Sequence, residues 1–159
     1  MPRRGSSLHD TDAVSYKSPA TPAEFAEYFA FRWEMLRKPL CLPRGSERDE
    51  LENDAFHLAA YDGNQIVGVG RLNVETQHTA RIRYMAVHSR YRLRGIGSSL
   101  LLQLEQFAQD HCIRVCWLYA REAAVSFYFR NGYVIRGEAL SELSGLHHER
   151  MEKCFVQPG

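Results

Sequence analysis

The sequence has no Cys-x-x-Cys pair: Cys41, Cys112, Cys116 and Cys154 are widely spaced, which excludes the usual zinc-knuckle and redox motifs. Cys112 and Cys116 lie in an apolar stretch, where a free thiol packs as a small hydrophobe. The opening Pro2-Arg3-Arg4-Gly5-Ser6-Ser7 lacks the apolar run of a secretory signal, and no run elsewhere is long enough to span a bilayer. An intracellular, cytoplasmic protein with reduced thiols and no membrane partner is therefore expected. Net charge is also nearly absent: a formal +1 gives no global attraction to nucleic acid. No internal repeat and no low-complexity segment breaks the chain. What is present is the composition of a globular protein, 45% apolar and 25% charged over 159 residues, a length suited to one domain spanning 1–159. Residues 1–11, rich in Pro, Gly, Ser and charge, read as a loose arm.

The most informative stretch runs from Val87 to Leu102, VHSRYRLRGIGSSLLL. A β-like segment, Ala80 to Val87, enters a basic glycine turn, and the turn opens into an apolar run of helical period. Gly95 and Gly97 let the backbone turn tightly and approach a ligand, leaving the N–H groups before Ser98 free. Those donors and the positive end of the helix dipole favour a phosphate. Arg90, Arg92 and Arg94 add side chains able to grip phosphate oxygens.

The rest of the chain supplies the frame. A short strand is expected over Ala13 to Lys17. Thr21-Pro22-Ala23-Glu24 is a capping box with proline at the first helical position, predicting a helix from Pro22 to about Arg37 that buries Phe25, Phe29, Trp33 and Leu36. Around Arg48 to Asn53 a short acidic helix or a solvated charged face is expected. Phe56 to Tyr61, the Asp62-Gly63-Asn64 turn and Gln65 to Glu75 predict a hairpin, with Ala80 to Val87 as the third strand of a meander. A helix from Ile96 to Gln109 then crosses over to a strand at Ile113 to Tyr119, parallel to the strand ending at Val87. A helix over Ala123 to Arg130 stops at Asn131-Gly132, a short strand follows at Tyr133 to Arg136, a loop at Gly137 to Gly145, and a last strand at His148 to Phe155. The fold class is α/β in the α+β sense, a mixed, mostly antiparallel sheet of about six to seven strands flanked by helices.

This order of elements, with its motifs, resembles the GNAT acyltransferase superfamily. The family signature of Arg or Gln, two residues, Gly, one residue, then Gly or Ala reads here Arg92-Leu93-Arg94-Gly95-Ile96-Gly97. Leu93 stands where Gly is frequent and Ser89 where Pro is common; backbone N–H groups do the binding, so neither change removes the site. Downstream, Ala124, Phe127-Tyr128 and Gly132-Tyr133 match a second pattern, with Arg121 where Asn or Gln is frequent. Arg37-Lys38-Pro39, Glu47-Arg48-Asp49, Phe56-His57-Leu58 and Gly145 to Met151 look like the ElaA-like branch.

The resemblance implies acetyl-CoA as acyl donor and a small-molecule or protein amine as acceptor. It implies a pyrophosphate site on the backbone of Leu93, Gly95, Ile96, Gly97 and Ser98 with Arg92 and Arg94 alongside. Pantetheine would pair with the strand edge at Met85 and Val87, a backbone N–H near Met85 would serve as oxyanion donor, and Tyr128 would be the acid for the departing thiolate. Glu75, His57 and His148 qualify by type as the base, with Tyr84 acting through a water, and spacing selects none. His147 and His148, adjacent on a strand, point to opposite faces, so no metal is expected. A homodimer is compatible with the sequence, which does not fix the oligomeric state. Two alternatives remain at this stage: a CoA-binding sensor that has lost transfer, and a nucleic-acid binder using Arg81, Arg83, Arg90, Arg92 and Arg94.

Overall fold

A computed structural model describes residues 14–141 and 146–156. The arm expected at 1–11 and most of the second half of the 137–145 loop lie outside the described residues. Among those described, eight strands form one sheet: β1 (Val14–Lys17), β2 (Phe56–Asp62), β3 (Gln65–Val74), β4 (Thr79–Val87), β5 (Val115–Arg121), β6 (Val134–Ile135), β7 (Leu140–Ser141) and β8 (His147–Cys154). The order is β1-β2-β3-β4-β5-β8-β6, with β7 also on β8, and every pairing except β4 with β5 is antiparallel. The last strand thus inserts between β5 and β6. The short strand expected at Tyr133 to Arg136 is present as β6, and the one additional strand is β7, two residues in the stretch expected as a loop, too short a pattern to read.

Three helices cover the sheet: α1 (Pro22–Leu36), α2 (Ile96–Asp110) and α3 (Val125–Arg130). The capping box forms as predicted, Thr21 Oγ1 accepting from Glu24 N at 3.1 Å and Glu24 Oε1 from Thr21 N at 3.3 Å. The buried face of α1 is rotated from the expected stripe. Tyr28, Phe29 and Arg32 are its buried residues, whereas Phe25, Trp33 and Leu36 are partly covered. The cause is a polar cluster beneath the helix that a reading by apolar period cannot see. On α2, Ile96, Leu100, Leu101, Leu104 and Ala108 pack the opposite face of the sheet against Leu58, Val67, Leu72, Ile82 and Leu118. Helices on both faces explain why β2 and β3 are buried almost end to end.

Two irregularities in β4 set up the site. Opposite β3 the register passes from Val69↔Ala86 to Arg71↔Arg83, so β4 carries one extra residue, and Tyr84 takes a φ of +59°. Opposite β5 the ladder stops early: Thr79↔Val115, Ala80↔Cys116 and Arg81↔Trp117 pair, and beyond them the two parallel strands separate. The Tyr28 hydroxyl lies within hydrogen-bond reach of both Gly70 O, 3.1 Å away beside the bulge, and His57 Nδ1, 3.0 Å away.

Candidate functional site

The glycine turn has the form the sequence implies. Arg92 is extended, Leu93 has φ +65°, and Gly95, the N-cap of α2, has φ +80° with no side-chain cap. Left-handed residues set close together fold the N–H groups into a concave anion cradle, and the bare helix start leaves its first donors unpaired. The two glycines serve different ends. At Gly95 a Cβ would meet nothing within 4 Å, so the positive φ is what calls for glycine. At Gly97 a Cβ would stand 3.1 Å from Phe127 Cζ and 3.7 Å from Val87 Cγ2, so there α3 takes the space that the sequence reading reserved for a ligand. Tyr91 anchors the turn by donating to Asp62 at the β2 end, and the Arg94 guanidinium carbon lies 5.0 Å from the Tyr91 ring centroid.

Where β4 and β5 separate lies a cleft of about 200 Å³ lined by Arg37 just past α1, Arg81, Arg83, Tyr84 and Met85 of β4, Tyr119 to Arg121 of β5, Tyr128 of α3 and His148 of β8. Met85 and Val87 lie on the stretch of β4 past the last β5 pair, where the backbone edge is open toward β5. Tyr128 is buried, and its hydroxyl has no hydrogen-bond partner among the described residues. Burial pushes this phenol well above its ordinary value, so it stays protonated throughout the physiological range. Its ring packs edge-on against Phe127 and Tyr133 at centroid distances of 5.0 and 5.8 Å. Tyr133 in turn donates to Glu105 of α2, 2.9 Å away, and Lys153 of β8 donates to the same carboxylate at 2.9 Å. The position of Tyr128 is therefore fixed from two sides.

The structure separates the candidates for a base. His148 lines the cleft, buried, with Nδ1 lacking a partner among the described residues. His57 does not reach it: Nδ1 lies 3.0 Å from the Tyr28 hydroxyl and Nε2 2.8 Å from Glu52 O. Burial, helped by Arg32 and Arg71, holds its imidazole below the usual histidine range against the pull of Glu52, so it is a neutral structural group. Glu75 accepts from Trp117 Nε1 at 2.7 Å and does not line the cleft.

A larger departure concerns the acidic stretch after α1, expected as a short helix or a solvated face. Only Glu52–Asp54 is helical, one 3₁₀ turn; Arg48, Glu50 and Asp54 are exposed, whereas Asp49 and Glu52 turn to buried arginines. Asp49 takes both terminal nitrogens of the buried Arg71, at 2.8 and 3.0 Å, and reaches Arg83 at 3.2 Å. Glu52 lies 2.8 Å from the fully buried Arg32 and 3.0 Å from Arg71. Burial would raise the Asp49 carboxyl, but the Arg71 hydrogen bond, the Leu51 N–H and the nearby arginine charges prevail and hold it below the usual carboxylate range. Above this network sits Tyr84, its ring centroid 4.1, 4.8, 5.0 and 5.4 Å from the guanidinium carbons of Arg32, Arg83, Arg71 and Arg37. Cation–π contact on this scale stabilises a bulky residue in a left-handed conformation. Sequence reasoning missed the network because its partners lie far apart in the chain, 22 residues for Arg71 and Asp49 and 34 for Arg83 and Asp49.

No helix of the described residues is long and apolar enough to cross a membrane. Residues 18–133 match the model of the acetyltransferase (GNAT) family. A curated relative, the uncharacterized N-acetyltransferase YjcF of Bacillus subtilis (strain 168), is 31% identical over 130 residues, covering 82% of this chain and 92% of the relative. Among solved structures, PaiA N-acetyltransferase from Thermoplasma acidophilum in complex with coenzyme A superposes with a TM-score of 0.70 at 18% identity, over 89% of this chain and 99% of that one. Escherichia coli ElaA gives 0.72 at 16% identity, over 88% and 98%.

Proposed function

The chain belongs to the acetyltransferase (GNAT) family, and on that premise we propose that residues 1–159 are one domain moving an acetyl group from acetyl-CoA to an amine by direct attack. The observation that supports this reading is the set of three features around the end of β4: the bare N-terminus of α2, the open β4 edge, and a cleft lined by both a protonated buried phenol and an imidazole whose Nδ1 has no partner among the described residues. The donor fits these features on structural grounds. N–H groups from Leu93 to Ser98 take the pyrophosphate, with Arg92 and Arg94 beside it. The β4 edge at Met85 and Val87 accepts the pantetheine amides as an added strand.

The chemistry follows from the side chains of the cleft. His148 takes the proton that the ammonium must lose before its nitrogen can attack. As the nitrogen–carbon bond forms, a backbone N–H near Met85 stabilises the oxyanion. When the carbon–sulfur bond breaks, Tyr128 gives its hydroxyl proton to the thiolate and regains one from solvent. A small-molecule or a protein amine can serve as acceptor, and acetyl-CoA supply and unbridged thiols suit a cytoplasmic setting.

The test is thiol release from acetyl-CoA across an amine panel. Tyr128→Phe should lower kcat by about 100-fold or more while CoA binds within about twofold of wild type. His148→Gln should lower kcat similarly near neutrality and recover at high pH, where the amine loses its own proton. CoA binding without turnover on a broad panel would instead mark a sensor, the reading that family membership disfavours.

A further inference from the structure

The reaction above leaves the arginines of the cleft without a task. Arg37, Arg81, Arg83 and Arg121 line it, and among the described residues no aspartate or glutamate does. Arg83 is engaged by Asp49 at 3.2 Å. Among the described residues the Arg37 side chain donates only to the carbonyls of Ser46 and Leu36, and that of Arg121 only to that of Leu36. The Arg81 side chain makes no hydrogen bond among the described residues; its guanidinium carbon stacks 4.7 Å from the Trp117 centroid and 5.4 Å from that of Tyr119, with Nε buried and unpartnered. Glu75, whose charge reaches Arg81, is hydrogen-bonded by Trp117 instead. Burial, then the like charge of Arg83, pushes the Arg81 guanidinium below its ordinary range. Like charges gathered around a partly desolvated cleft repel one another, and a bound anion relieves that repulsion.

Resting on the transferase reading, we propose that the acceptor is a small amine that also carries an anionic group, a carboxylate or a phosphate, held by Arg81 with Arg37 and Arg121. The cleft volume of about 200 Å³ suits a small molecule. Seating the anion on the arginines presents the amino group on the side of His148. Polyamines are repelled by the same charges.

The experiment compares amines matched except for the anion: amino acids against the corresponding decarboxylated amines, and O-phosphoethanolamine against ethanolamine, with spermidine as the polycation. Thiol release should show kcat/KM about 10- to 100-fold higher for the anionic member of the favoured pair, the size expected of charge-assisted hydrogen bonds. Which pair responds distinguishes carboxylate from phosphate. Arg81→Gln should collapse that ratio toward one. Neutral amines or spermidine performing as well as anionic ones, or a ratio unmoved by both Arg81→Gln and Arg37→Gln, overturns the inference. If no amine releases thiol, the transferase reading has failed, and calorimetric titration of the same amines into the CoA-bound protein decides this one separately. Binding of the anionic members, weakened about tenfold by Arg81→Gln, sustains it, and absence of binding overturns it.

Discussion

The turn proposed to receive the donor occupies seven consecutive residues, 92–98, whereas the proposed acceptor face is assembled from α1, β3, β4, β5, β8 and the loop before β2. The first is backbone geometry, set by two left-handed residues and a bare helix end. The second is side-chain chemistry, in which Asp49 and Glu52 pair with Arg32, Arg71 and Arg83, two carboxylates to three guanidiniums, and Arg37, Arg81 and Arg121 line the cleft without a carboxylate partner among the described residues. A site of N–H donors should tolerate a change of side chain, because every residue but proline carries the donor. A site of paired charges tolerates little, because removing one partner strands the other in a poor solvent.

Asp49→Asn tests that contrast with the largest expected effect. It leaves Arg71, 1% exposed, with Glu52 alone, and should destabilise the protein by about 3 kcal/mol, lowering Tm by roughly 6–12 °C. CoA affinity of the folded protein should stay within about twofold, since no donor group touches this network. A weakened CoA site would show that the two halves are not separable.

Gly97→Val attacks the other half. Its side chain must enter space that Phe127 and Val87 already occupy, so overpacking should cost about 2 kcal/mol. The strain passes into α3 next to Tyr128, so kcat/KM should fall more than stability alone explains. Thiol-release kinetics with chemical denaturation separate the two. Equal CoA affinity and activity in the folded variant would mean that α2 and α3 move apart without consequence.

The same contrast explains what could be read in the sequence. The capping box, the Asp-Gly hairpin, the crossover helix and the glycine turn are local signals, and each appears in the structure as an element. The parallel pairing of β4 and β5 follows from the crossover rule. The rotated face of α1, the insertion of β8 between β5 and β6, and the ion-pair network depend on residues far apart in the chain, so no spacing encodes them. His148 was one name among several for the base; only the β5–β8 register, with His148 opposite Arg121, brings it to the cleft.

A smaller effect comes from pH. His57, held below the usual histidine range by burial, is neutral when folded and binds a proton more readily when unfolded. Its contribution is fully present above the unfolded value of about 6.5 and is lost as pH falls through the folded one. Asp49, also depressed, adds a second loss starting near the unfolded carboxylate value of about 3.9. Urea midpoints should therefore fall below about pH 6.5, and His57→Gln should flatten that first decline while leaving the later one. A midpoint constant down to about pH 4.5 would contradict a neutral buried His57.

The smallest effect isolates backbone geometry from everything else. Leu93 has φ +65° and a fully exposed side chain, so replacing it removes no buried contact. A left-handed conformation costs a residue with a Cβ about 1–2 kcal/mol, while glycine brings back about 0.5–1 kcal/mol of unfolded-state entropy. Leu93→Gly should therefore stabilise by about 0.5 kcal/mol, a rise of roughly 1–2 °C in Tm. Gly95→Ala, with φ +80° and no neighbour for its Cβ, should do the reverse by about 1 kcal/mol. CoA affinity should change by less than about twofold in Leu93→Gly, because the donor that binds is the backbone N–H and glycine keeps it. A large loss of affinity would mean that the leucine side chain itself touches the donor, giving this turn an apolar side-chain contact beyond its N–H groups and the flanking Arg92 and Arg94.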